Sequence, residues 1–379
     1  MKTPLLYLSL FSLALIFGCH SEKVDEPEKS DYQFKLTEKF KTFPLPADVG
    51  QLEPYFMPLG VDYFALFDYK TNQILTYSIP ETKLVNTVQL ETEGPNGVGK
   101  NIAGIFADNP GEFFLTTASN QLIKIDSSGQ IIHKVQFNTE ELQEQGVSLF
   151  SNVFVRNQHE LYFAAFPLTF EWTSLSPEEL TKTPNLLRYD STENSFSPIS
   201  YFPEEFVGTN LNKTIFPLLA VGLTGLPIIN LNFRNIYYQE DEEIHSSFAG
   251  LSSFPEDPPT SPLPNMFDDM NEIMKMINHT DIYTDVYSLD AQDLIVRVGK
   301  HEDIPDNTLD TDAFLASKWG LVFLDTDFNK VGELDLEPDR FHGRYLFADH
   351  EGIWVSADHP ENPDIQEDFL RFQLIEVTK

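Results

Sequence analysis

Cysteine is almost missing from this chain: Cys19 is the only one in 379 residues. No intrachain disulfide can form, so folding must rest on apolar packing. Basic side chains are scarce as well, 25 Lys and Arg against 59 Asp and Glu, a formal net charge of −34. So acidic a surface repels phosphate backbones and anionic headgroups, which argues against nucleic acid as a partner and against docking on a membrane by charge. Beyond the first 17 residues long apolar runs are absent, and segments with helical periodicity are few. Apolar residues are plentiful: 41% of the chain is hydrophobic and 13% aromatic. That is too apolar for a disordered protein and ample for one or two cores.

The sole cysteine has a particular place. Lys2 supplies a positive start, and Leu5 to Phe17 is an apolar stretch broken only by Ser9 and Ser12. That stretch is short for a transmembrane helix and right for the apolar region of an export signal. It ends in Ile16-Phe17-Gly18-Cys19, which resembles the lipobox of bacterial lipoproteins. The resemblance implies a signal over residues 1–18 and a lipidated Cys19 carrying palmitate-like acyl chains. Three such chains would anchor the protein stably, at about 0.8 kcal/mol per buried CH₂. Residues 19–31 are polar and acidic, with Val24 as the lone apolar residue after the cysteine, and read as a flexible tether. His20 rather than Asp follows the cysteine, so by the same resemblance the expected address is the outer membrane, facing periplasm or cell surface.

Residues 32–379 read as one all-β domain. Short runs of Phe, Tyr, Ile, Leu and Val are broken by turn residues about every 8 to 12 positions. Tyr63–Phe67, Gln73–Ile79 and Leu84–Leu90 are successive runs. Ile102–Ala107, Glu112–Thr117, Gln121–Asp126 and Gln130–Phe137 form a set of four, with turns at Asn109-Pro-Gly111, Ala118-Ser-Asn120 and Ser127-Ser-Gly129. Phe150–Arg156, Glu160–Phe166, Leu186–Asp190 and Ser195–Phe202 repeat the set, and later copies follow from Ile282 onward. Sets of four at a repeat near 50–60 residues predict a β-propeller of about six blades, each of four antiparallel strands. Two β-sandwiches are the rival, but the sets recur without a linker. Tyr32–Leu36 and Phe369–Val377 both alternate apolar and polar residues, and are expected to share one blade and close the ring.

Three places carry a family resemblance: Glu93-Gly-Pro-Asn-Gly-Val-Gly99; Tyr283-Thr-Asp-Val-Tyr287-Ser-Leu-Asp290 with Leu294–Arg297; and Gly320–Asp325 with Val331–Glu333 and Glu351–Val355. Together they are similar to an uncharacterised family of six-bladed-propeller lipoproteins of Gram-negative bacteria that carries a domain of unknown function. The resemblance implies a fold and a location. It implies no reaction and no catalytic residue.

Motifs that suggest chemistry have plainer readings. Gly94 to Lys100 fits the spacing of a phosphate-binding loop, but position 101 is Asn where Ser or Thr is needed, and a strand follows. It reads as an inter-blade turn whose glycines permit positive φ. Asp325-Thr-Asp327-Phe-Asn329-Lys330 begins like a calcium loop, but the glycine and glutamate expected at its sixth and twelfth positions are Lys330 and Leu336. It reads as a hairpin turn; no cofactor is implied, and weak Ca²⁺ binding elsewhere stays open. His342, His350 and His359 lack a metal-ligand spacing and read as solvated loop residues.

Two insertions stand out, 167–185 and 249–280. The first carries Phe170 and Trp172, aromatics suited to stacking on a sugar or a protein. Within it, Ser176-Pro-Glu-Glu179 reads as a helix start. The second holds a proline-rich stretch and then Asn265–Asn278, whose methionines and isoleucines fall at helical spacing. Arg156, Arg188, Arg234, Arg297 and Arg344 are anion or carbohydrate contacts, or else partners for the surplus carboxylates. The functional expectation is a lipid-anchored, non-enzymatic module that binds a protein or carbohydrate ligand. The alternative is a hydrolase or lyase acting on glycans or peptides through carboxylates from several blades.

Overall fold

Short apolar runs punctuated by Asp, Asn and Gly favour hairpins, and hairpins are what the chain forms. The computed structural model describes residues 31–50, 55–168, 176–203, 218–221, 225–231, 234–240, 243–255, 278–301 and 316–379. Strand β1 (Gln33–Pro44) precedes the first blade, β2–β5 (Phe56–Leu59, Tyr63–Asp68, Gln73–Ser78, Lys83–Gln89). The second blade is β6–β9 (Ile102–Asn109, Glu112–Thr117, Gln121–Asp126, Ile131–Gln136). The third is β10–β13 (Val147–Asn157, Glu160–Pro167, Pro184–Asp190, Ser195–Tyr201). The fourth is β14–β17 (Leu218–Val221, Pro227–Asn230, Asn235–Glu240, Glu243–Phe248). The fifth is β18–β21 (Ile282–Leu289, Leu294–Lys300, Trp319–Leu324, Lys330–Asp335). The sixth unites β22–β24 (His342–Asp349, Gly352–Ser356, Phe369–Thr378) with β1 as its outermost strand.

All six sheets are antiparallel meanders of four strands. Their first strands touch in sequence, β2 to β6 to β10 to β14 to β18 to β22, and β22 touches β2 again, closing the ring. Six apolar clusters fill the six blade interfaces, one for each neighbouring pair. Prolines inside the strands respect the edges: Pro58 lies on an innermost strand and Pro198 on an outermost one, where a missing N–H breaks no ladder.

The expected closure is present. β1 pairs with β24 from Gln33↔Thr378 to Pro44↔Phe369, with a bulge between Leu36 and Phe40. Its first half lays Phe34 on Phe323 of the fifth blade, ring centroids 3.7 Å apart. Its second half buries Phe43 among Phe64, Phe347 and Phe372, all edge-on at 4.9–6.0 Å. One strand thus ties blades five, six and one. Lys41 adds an ion pair to Asp349 and sits 4.5 Å from the ring centre of Trp354.

The hairpins repeat a device. Asp126, Asp190 and Asp325, each at or just past the end of the third strand of its blade, turn a carboxylate oxygen back onto backbone N–H groups two to four residues on, at 2.7–3.1 Å. The Ser128 hydroxyl, with these backbone bonds, holds the carboxyl of Asp126 below its usual range, and the backbone bonds do the same for Asp190. The calcium-like stretch from Asp325 is therefore a self-bonded turn. The Gly94–Gly99 stretch connects β5 to β6, with φ of +95° at Gly94 and +89° at Gly99, and a strand follows it.

Among the described residues helices are minor: α1 (Glu140–Glu144) and α2 (Pro177–Leu180), with one 3-10 turn at Asp290–Gln292. Helix α2 carries the expected start, Ser176 Oγ and N–H both donating to Glu179 Oε2 at 2.7 Å. Apart from Asn278, the expected helix over Asn265–Asn278 lies outside the described residues, as do the signal and all of the tether but Asp31. The histidine reading needs correction. His342 and His359 are buried, because His342 opens β22 beside Trp319 and Tyr345, and His359 Nδ1 accepts the Glu361 N–H at 3.1 Å. Burial lowers the pKa of His359.

Candidate functional site

Because each blade is an up-and-down meander, all six innermost strands begin at one face of the ring and end at the other. We call these the upper and lower faces. Between the innermost strands runs an axial cavity of about 500 Å³, to which every blade contributes lining. Its size suits a small ligand.

Polar side chains enter this cavity where the innermost strands bulge. Register shifts fall between Phe106 and Asn109 in β6, Phe150 and Phe154 in β10, Tyr283 and Asp285 in β18, and His342 and Leu346 in β22. The residues at or beside these shifts include Asp108, Asn152, Asp285 and Arg344, all of them lining the cavity. A bulge re-aims a side chain without ending the strand, which is why such irregularities gather at sites. The bulge in β10 needs a glycine opposite it: a Cβ on Gly104 would lie 2.8 Å from the Asn152 Cα.

Among the described residues two ion pairs cross blade boundaries inside the ring. Arg344 Nε donates to Asp285 Oδ2 at 2.8 Å and its terminal nitrogen to Oδ1 at 3.4 Å. Arg156 donates to Asp108 Oδ2 at 3.1 Å and lies 3.7 Å from Glu112. In each pair the aspartate belongs to one blade and the arginine to the next. The first pair joins blades five and six, the second blades two and three, so they occupy opposite walls. They also differ in depth. Asp108 and Arg156 are next to last in their strands, near the lower face, whereas Asp285 is fourth and Arg344 third in theirs. The offset along the axis is roughly 10 Å at about 3.3 Å per residue.

Tyrosine hydroxyls brace the wall. Tyr55 donates to the Ala103 carbonyl and Tyr287 to the Arg344 carbonyl. Burial raises both phenols above their ordinary pKa, so each stays a donor. Asp290, at the lower rim, has its carboxyl raised by burial and then by Asp293.

Of the sequence candidates, Arg156 and Arg344 line the cavity. Arg234 does not: it sits over the Phe248 ring, 5.1 Å from its centre, in the fourth blade. Arg188 pairs with Glu160 at 3.3 Å in the third blade. Phe170 and Trp172 lie outside the described residues. Sequence reasoning missed Asp108, Asn152, Asp285 and Tyr55. An available signal was the spacing of each Asp–Arg pair, 48 and 59 residues, about one blade repeat. Among the described residues no group of three or more His, Cys, Asp or Glu could hold a metal, and no helix is long and apolar enough to cross a membrane.

Six four-stranded blades about an axial cavity make this protein a six-bladed β-propeller. More particularly, the chain belongs to the family defined by the domain of unknown function DUF4221, which it matches over residues 60–335. A crystal structure of a family member from Bacteroides vulgatus superposes with a TM-score of 0.78 at 16% identity, covering 93% of this chain and 100% of that one. A Bacteroides fragilis protein gives 0.52 at 11% identity over 93% and 97%. Virginiamycin B lyase from Staphylococcus aureus gives 0.39 at 12% identity over 90% and 100%, too distant to bear on chemistry. No curated protein matches the chain.

Proposed function

We propose that this protein is exported, anchored in the outer membrane through acyl chains on Cys19, and serves as a non-enzymatic binding module whose site is the axial cavity. The lipobox-like Ile16-Phe-Gly-Cys19 and the acidic stretch after it support the anchor. The cavity carries the binding reading: it is of ligand size, lined from six blades, and polar where bulges place Asp285, Arg344, Asp108 and Asn152. Its two best-placed carboxylates are each engaged by a guanidinium, an arrangement that suits holding a ligand more than proton transfer. The reading as a glycan or peptide hydrolase or lyase rests on those same carboxylates and is separated by a turnover assay.

The test is made in a Gram-negative host. Labelled palmitate is expected on the wild-type chain, which fractionates with the outer membrane, and is expected to vanish with Cys19→Ser. Label retained by Cys19→Ser would end the anchor reading. The purified chain should bind a ligand without consuming it, and a product formed in the same samples would end the non-enzymatic one.

A further inference from the structure

We infer that the axial cavity takes a neutral, hydroxyl-rich ligand, a glycan segment of two or three sugar rings lying along the axis. This rests on the binding reading above and names its ligand class.

Charge makes the first selection. An anion entering the cavity would meet Arg344 and Arg156 only beside carboxylates already bonded to them, Asp285 at 2.8 Å and Asp108 at 3.1 Å. It would also enter a protein of net charge −34. A cation would meet two guanidiniums for the same reason. At each end, then, a charged ligand faces a like charge fixed in place, and like-charge juxtaposition is strongly disfavoured. A neutral ligand faces no such conflict.

Hydrogen-bond geometry makes the second. Each Asp–Arg pair presents acceptor oxygens and donor nitrogens side by side. A hydroxyl is both donor and acceptor, so two neighbouring hydroxyls on a ring satisfy both members from one direction. A trans peptide unit points its N–H and C=O oppositely and offers one pair only half of what it presents. Asn152, exposed on its bulge between the two depths, adds a further donor and acceptor. Half-buried aromatic rings, Tyr55 and Phe106, line the wall and offer apolar faces for the C–H side of a sugar ring.

Extent makes the third. Opposite walls and an axial offset of roughly 10 Å at about 3.3 Å per residue require an elongated ligand to touch both pairs. A single ring reaches one pair, and two or three linked rings reach both.

The full chain, purified in detergent, is titrated by calorimetry against neutral probes (cellobiose, maltotriose and N,N′-diacetylchitobiose), anionic digalacturonate, the cationic glucosamine disaccharide, and diglycine. Saturable binding is expected for at least one neutral probe and for none of the charged ones or diglycine. Arg344→Gln should weaken it about tenfold or more, as loss of a charged hydrogen bond does. Should Arg344→Gln fold poorly, Asn152→Ala, a truncation of an exposed side chain, is expected to weaken it by about threefold to tenfold. Lys39→Gln, in an exposed pair on β1, should leave it unchanged. Tighter binding of a charged probe or diglycine, lost in Arg344→Gln, would overturn the ligand class while keeping the binding module. Neutral binding indifferent to both cavity variants, or no binding by any probe, would overturn the assignment. Conversion of a bound sugar to products, followed by chromatography, would instead keep the ligand class and end the non-enzymatic reading.

Discussion

The guanidinium of Arg297 sits over the ring of Tyr283, 3.4 Å from its centre, in the wall between the fourth and fifth blades. From β19 it reaches back into the fourth blade, donating to Asn230 Oδ1 at 2.7 Å and to the carbonyls of Leu231 and Ala249 at 2.7 and 2.9 Å. Burial lowers its pKa to about 10, so it keeps its charge at neutral pH. The fourth blade has two strands of only four residues, β14 and β15, and this side chain ties it to the fifth.

Replacing Arg297 with Met should therefore destabilise the propeller by roughly 3–5 kcal/mol, because buried acceptors lose their donors. Arg297→Lys should recover only part, since an ammonium offers three donors on a narrow head in place of a planar fork. Urea unfolding of the three chains measures this; Met and wild type unfolding at one midpoint would refute it.

The closing strand makes a second prediction. A Cβ added to Gly332 would lie 2.5 Å from the Phe34 ring. Gly332→Ala should cost about 1–3 kcal/mol as an overpacked contact. In a Phe34→Ala background the same change should cost much less. A coupling energy below about 0.5 kcal/mol in that double-mutant cycle would mean that Phe34 does not pack there.

How far the sequence discloses this architecture depends on strand length and on bulges. In the second blade, Glu112–Thr117 and Gln121–Asp126 coincide with β7 and β8, because buried residues there form clean runs between tight turns. The fourth blade was not legible. β15 begins with Pro227, and β17, Glu-Ile-His-Ser-Ser-Phe, has no buried residue to betray it. β2 is four residues with Pro58 inside, and β22 opens on His342-Gly-Arg344, polar residues spread by a bulge. The site was half legible. Arg156 and Arg344 stood out in an arginine-poor chain, whereas Asp108 and Asp285 were two of 59 acidic residues. Which carboxylates turn inward is decided by bulges, and these leave no local pattern.

Those bulges can be tested directly. Gly104 faces the Asn152 backbone, and a Cβ there would lie 2.8 Å from the Asn152 Cα and 2.8 Å from Thr116 Oγ1. Backbone cannot swing aside as a side chain does, so Gly104→Ala should push the β10 bulge and narrow the cavity. Expected are a loss of about 1–3 kcal/mol in stability and weaker binding of any axial ligand, read on the same protein. Unchanged values of both would show that the bulge is not held against Gly104.

Asp358 supplies a pH dependence of unusual sign. Its carboxylate accepts the Arg371 N–H at 2.8 Å and the Ser356 hydroxyl at 3.2 Å, yet burial outweighs those bonds and lifts its pKa to about 6. An unfolded aspartate titrates near 3.9, so between about pH 4 and 6 the folded chain binds the extra proton. Acidification through that window should therefore favour the folded state at this residue, by on the order of 2–3 kcal/mol. Asp126 and Asp190, with lowered pKa values, act oppositely and lose their contribution at lower pH. Subtraction isolates Asp358: the stability of wild type relative to Asp358→Asn should rise as pH falls from 7 to 4, measured by urea unfolding at each pH. A difference that stays flat across that range would place the carboxylate in water, and one that falls would mean its hydrogen bonds, not its burial, set its charge.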